Sequence, residues 1–93
     1  KNKKKLNIQR KKLDKLDNRL LSIIKIRTDI IKKVISLKTN KNEIVDKKRI
    51  AFILRKIKRA SIKSKIDPTI TKKIWKNMIW TYIDFERKNF KKK

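Results

Sequence analysis

The stretch LNIQRKKLDKLDNRLLSIIKIRTDIIKKVISLK, Leu6 to Lys38, decides the fold. Leu6, Leu13, Leu20, Arg27 and Val34 recur every seventh residue, so they share one stripe of a long helix. Leu16, Ile23, Ile24, Ile30, Ile31 and Leu37 widen that stripe. No proline or glycine interrupts it, which predicts one helix over about 6–38. At 1.5 Å per residue this helix is roughly 50 Å long. Arg27 stands where the repeat asks for a leucine, and an unpaired guanidinium is costly to bury. Lys38, about three turns further on, points to nearly the same side. Two cations on an apolar side suggest an internal anion site, although both side chains are long enough to snorkel to water.

Beyond the long helix, Thr39 to Glu43 is polar and reads as a loop. A second helix is expected over about 46–61, with Ile50, Ile53, Leu54, Ile57 and Ala60 inward and Asp46 as a candidate N-cap. Ser61 to Ile66 reads as a basic connector. Asp67-Pro68 pairs a capping acid with proline at the first helical position, so a third helix is expected over about 68–88. It carries Ile70, Ile74, Trp75, Met78, Ile79, Tyr82 and Ile83 at helical spacing, and Glu86 continues that stripe. The tail after Arg87 is expected to fray. Strand alternation and internal repeats are absent from the sequence. The fold class is therefore all-α, with one long helix and two shorter ones. The shorter helices leave a long apolar edge on the first, which soluble monomers rarely expose. A symmetric homodimer pairing the two long helices covers it. A monomeric bundle with the first helix broken is the alternative.

Ninety-three residues suit one small domain, here the whole of 1–93. Without cysteine, the chain has neither disulfides nor thiolate metal sites. Without histidine, it lacks the commonest general base and metal ligand. The eight carboxylates show no metal-ligand spacing, and no cofactor is expected. The net charge of +24 comes from 25 Lys and 7 Arg, beside 17 Ile and 7 Asn. AT-rich codons favour Lys, Ile and Asn together, so coding bias competes with polyanion binding as the origin of the charge. No apolar run is long enough to span a membrane, and the basic start is not followed by a signal core. The expected location is cytoplasmic, without membrane association.

Arg10 and Arg27 lie on the long helix about 100° out of phase, so one chain cannot easily bring both to one site. An antiparallel dimer could carry Arg10 across to its partner's Arg27 and Lys38. Arg49, Tyr82 and Glu86 add a cation, a phenol and an acid. Several cations with one phenol and one acid suit a small ligand bearing two carboxylates.

In order and spacing these residues resemble the all-helical chorismate mutases. The resemblance runs through Arg10-x-x-Leu13-x-x-Leu16-Asp17-x-x-Leu20-Leu21-x-x-Ile24-x-x-Arg27 to Val34 and Lys38. It resumes at Asp46-x-x-Arg49, Ile66-Asp67-Pro68 and Ile74-Trp75-x-x-Met78-Ile79-x-x-Tyr82-x-x-x-Glu86. It implies an intertwined homodimer with two active sites, each built from both chains. In it Arg27 and Arg49, with Arg10 of the partner chain, would bind the carboxylates of chorismate. Lys38 would bind the ether oxygen and a nearby carboxylate, and Asp46 would lie by the ring hydroxyl. The implied reaction is pericyclic and needs no base, nucleophile, metal or cofactor.

Three positions depart from the mutase pattern. Glu86 stands where glutamine is often the second donor to the ether oxygen. A carboxylate cannot donate a hydrogen bond, whereas a protonated acid can. Ile50 follows Arg49 where a glutamate is common, and Tyr82 replaces a small residue. Ile50 and Tyr82 resemble instead the isochorismate–pyruvate lyases, which share the fold and release salicylate and pyruvate. The mutase reading is placed first because it serves phenylalanine and tyrosine synthesis, whereas salicylate is a specialised product. The third reading, a basic helical nucleic-acid-binding protein, accounts for the charge but leaves Arg27 unexplained. Specific nucleic-acid binding is not expected.

Overall fold

The computed structural model describes residues 2–91. They form three α-helices: α1 (Asn2–Leu37), α2 (Lys47–Lys63) and α3 (Pro68–Asn89), with a short 3-10 turn at Lys41–Glu43. Among the described residues there is no strand. The chain divides into two units after Lys32.

The first unit is the N-terminal part of α1. The helix starts at Asn2, earlier than the expected Leu6, and is unbroken to Leu37. The apolar stripe lies open on it: Leu13 is 58% exposed, Leu16 52% and Leu20 54%. Arg27 is exposed too. Side-chain hydroxyls answer backbone carbonyls along the helix, with Ser22 donating to Asn18 at 3.2 Å and Thr28 to Ile24 at 2.8 Å. Lys25 and Asp29 pair one turn apart at 2.9 Å. Such an exposed pair contributes only about 0.3–0.5 kcal/mol.

The second unit holds the end of α1, the turn, α2 and α3. Its buried apolar residues are Ile35, Ile44 and Ile83. Fully burying one isoleucine is worth about 1.5–3 kcal/mol. The segment read from sequence as a loop is a built turn. Asn40 Oδ1 accepts from the Asn42 N–H at 3.0 Å. Glu43 Oε1 accepts from the Asn40 N–H at 3.1 Å and from the Thr39 hydroxyl at 3.0 Å. This reciprocal capping satisfies backbone donors that would otherwise be orphaned, and Ile44 is buried directly after it.

Asp46 caps α2, accepting the Arg49 N–H at 3.0 Å. The helix then runs to Lys63, past its expected end at Ser61. Ser61 is therefore helical, and so are the first residues of the expected connector. It is also buried, because its hydroxyl meets that of Thr71 on α3 at 2.7 Å. The Ser61 hydroxyl also donates to the Ile57 carbonyl at 2.6 Å, and the Thr71 hydroxyl to the Pro68 carbonyl at 3.3 Å.

α2 ends in a Schellman motif. The Ile66 N–H reaches the Ser61 carbonyl at 2.8 Å, and the Lys65 N–H reaches Ile62 at 3.1 Å. Lys65 carries the left-handed conformation at φ 59°, where glycine usually sits. A left-handed side-chain residue costs about 1–2 kcal/mol. Lys65→Gly removes that cost but adds unfolded-state entropy of up to about 1 kcal/mol. The expected net gain is below about 1 kcal/mol, read as a raised urea midpoint with an unchanged slope. A lowered midpoint would show that the lysine side chain stabilises the turn. Asp67 caps α3 through the Thr69 N–H at 2.9 Å, with Pro68 at the first position, and the helix continues to Asn89. The described residues after Arg87 thus remain helical for two residues before the chain leaves α3.

Candidate active site

The second unit brings two distant candidates together. Lys38 follows the last residue of α1, and Glu86 lies near the end of α3. Lys38 Nζ donates to Glu86 Oε1 at 3.0 Å across 48 residues of sequence. The Glu86 side chain is only 9% exposed and that of Lys38 19%. Burying a carboxylate is tolerable only with such a partner. The Lys38 N–H donates back to Ile35 at 3.2 Å, which holds its main chain to the final turn of α1. One turn before each charged group stands a buried isoleucine, Ile35 on α1 and Ile83 on α3. The polar pair thus sits at the margin of the apolar core.

An ammonium has three N–H donors and Glu86 takes one. Lys38 can therefore hold its acid and still donate to an oxygen of a bound anion. An open depression of about 550 Å³ lies beside it, lined by Lys38, Asn42, Glu43, Val45, Asp46 and Lys48. Glu43 and Asn42 belong to the capped turn, so the turn that buries Ile44 also brings Lys38 and Asp46 to one depression. Composition gave no sign of this; the signal present in the sequence was the asparagine and glutamate three residues apart, a capping-box spacing.

The other candidates are placed less tightly. Arg49 is exposed, with its guanidinium 5.4 Å above the Phe52 ring centroid. That contact occupies one face of the guanidinium and leaves its in-plane donors available to a carboxylate. Ile50 and Tyr82 are half-buried in the same unit. Asp46 spends one oxygen on the α2 cap. Arg10 and Arg27 are exposed on α1 in the first unit. Among the described residues, no group of side chains could hold a metal ion, and no helix is long and apolar enough to cross a membrane.

Helices alone, with a lysine–glutamate pair beside a depression lined by both lysines and carboxylates, define an all-helical protein with a charged centre at the margin of its core. The family is more specific. The sequence model for chorismate mutase type II matches residues 9–87, and this chain belongs to that family. The matched span contains Arg10, Arg27, Lys38, Asp46, Arg49, Ile50, Tyr82 and Glu86. No curated protein and no solved structure matches the chain.

Proposed function

We propose that the chain is a chorismate mutase that works as a homodimer, converting chorismate to prephenate. The observation that carries this reading is the Lys38–Glu86 pair at 3.0 Å, within the span matched by the family. The reaction is an intramolecular rearrangement. An enzyme has to hold the extended dianion in a compact, chair-like shape. It also has to meet the negative charge that grows on the breaking ether oxygen. Lys38 supplies a donor for that oxygen. Arg27 and Arg49 take the carboxylates, together with Arg10 from the partner chain, and Asp46 faces the ring hydroxyl. Donors that strengthen their bonds in the transition state raise the rate without a proton shuttle, and the chain has no histidine to provide one.

Glu86 limits the donors at the site. As a carboxylate it accepts from Lys38 and offers nothing to the ether oxygen. Glu86→Gln carries a permanent N–H donor, so its kcat/KM for chorismate at neutral pH is expected to rise. An unchanged rate in Glu86→Gln would remove Glu86 from the chemistry.

Ile50 and Tyr82 favour a second reading, an isochorismate–pyruvate lyase. The deciding assay supplies purified protein with chorismate and, separately, with isochorismate, and follows prephenate, salicylate and pyruvate by chromatography. Prephenate from chorismate at the higher catalytic efficiency supports the mutase. Salicylate with pyruvate at the higher efficiency replaces it with the lyase. No turnover of either by the folded protein sinks both.

A further inference from the structure

A second cavity lies between α2 and α3, built from different residues than the depression beside Lys38. Its volume is about 410 Å³, within the range of small-molecule sites. Leu54, Ile57 and Pro68 give it an apolar lining, and Arg55, Lys58 and Lys72 stand around it. Leu54, Ile57 and Pro68 are half-buried, whereas the three cations are exposed. No carboxylate lines it. The nearest acid in sequence, Asp67, is committed to capping α3 at 2.9 Å from the Thr69 N–H. The Thr71 hydroxyl in the lining is committed to Ser61 at 2.7 Å. Three cations from two helices thus surround an apolar hollow that two threonines, Thr69 and Thr71, also line.

We infer that this cavity is a second ligand site, for a small amphipathic monoanion with an apolar body and one carboxylate. An apolar body fits the aliphatic lining, where burial drives binding. The anionic head meets whichever of the three cations lies nearest, at a rim without competing acids. An uncharged isostere would gain the first contribution but not the second. The inference stands apart from the mutase reading, because it uses none of the residues assigned to that reaction.

The test titrates 2-naphthoate, and separately the uncharged 2-naphthamide, into the full chain by calorimetry. One naphthoate is expected per chain, with the amide at least about tenfold weaker. The double variant Lys58→Glu/Lys72→Glu is expected to weaken naphthoate at least about tenfold. Lys11→Glu/Lys32→Glu, the same charge change placed on α1, leaves it nearly unchanged. Both variants alter exposed side chains and keep the helical circular dichroism and chorismate turnover of the parent. Equal binding of acid and amide overturns the inference, as does equal weakening by the two double variants. Absence of naphthoate binding also overturns it. Binding seen only when the chain is monomeric assigns the cavity to contact with a second copy instead.

Discussion

Replacing Lys38 by alanine is expected to lower kcat/KM for chorismate by about 10²–10³-fold, the usual cost of one donor to a developing oxyanion. The same substitution is expected to destabilise the fold. Glu86 is 9% exposed at its side chain, and Lys38 is its ion-pair partner at 3.0 Å. Removing one member of a buried pair leaves the other charge uncompensated, at a cost of about 3–5 kcal/mol. The lysine is 19% exposed, so water reaches the site and the low end of that range applies. For a chain of this size each kcal/mol lowers Tm by about 4–8 °C. The two effects separate in the double variant Lys38→Ala/Glu86→Gln. A neutral amide needs no counter-charge, so much of the stability returns. The activity returns only to the extent that the new amide replaces the missing ammonium as donor. Thermal melts and steady-state kinetics on the three proteins decide the matter. Full activity in folded Lys38→Ala would exclude the lysine from catalysis. An unshifted melt would show that the pair at the end of α3 contributes nothing to stability.

The long helix was legible because its signal is long. A seven-residue repeat sustained from Leu6 to Val34 leaves little room for another structure. The start of α3 was legible for the opposite reason, since Asp67-Pro68 is a local signal with one geometric meaning. The end of α2 was not. Ser61 is polar and stands in a basic stretch, so periodicity stops there, yet the helix continues because Thr71 supplies a buried partner for its hydroxyl. That partner is ten residues away, beyond the range of a helical pattern. The pairing of Lys38 with Glu86 had the same difficulty, because 48 residues separate them and only the fold brings them to 3.0 Å. The sequence marked both as polar members of apolar faces, and the resemblance placed both in one site. Neither showed that they hold each other. Arg27 illustrates the converse. Its place in the stripe was plain from the heptad, but in the single chain its neighbours on that stripe are exposed, apart from the half-buried Ile31. A stripe can be read from sequence, while its cover belongs to whatever packs on it.

That cover is testable through Leu20, near the middle of the α1 stripe and 54% exposed in the single chain. In the proposed homodimer the stripe packs against a second copy, and each dimer contains the position twice. Leu20→Asp removes two leucine burials, worth about 1.5–3 kcal/mol each. It also places two carboxylates where water is excluded, an added cost of at least about 1–3 kcal/mol for each poorly solvated group. Each 1.4 kcal/mol is tenfold in affinity, so the dimer dissociation constant should rise by at least about 10³-fold. Sedimentation at micromolar concentration should then find monomer where the parent is dimer. Chorismate turnover should fall in step, because in the proposed homodimer each site takes Arg10 from the other chain. Asn18→Asp supplies the control: it changes charge equally on the opposite side of α1, two residues away, and should leave dimer and activity intact. A Leu20→Asp protein that remains dimeric would show that another surface pairs the chains. One that becomes monomeric and keeps full turnover would show that a single chain completes its own site, and the role given to the partner's Arg10 would fall with it.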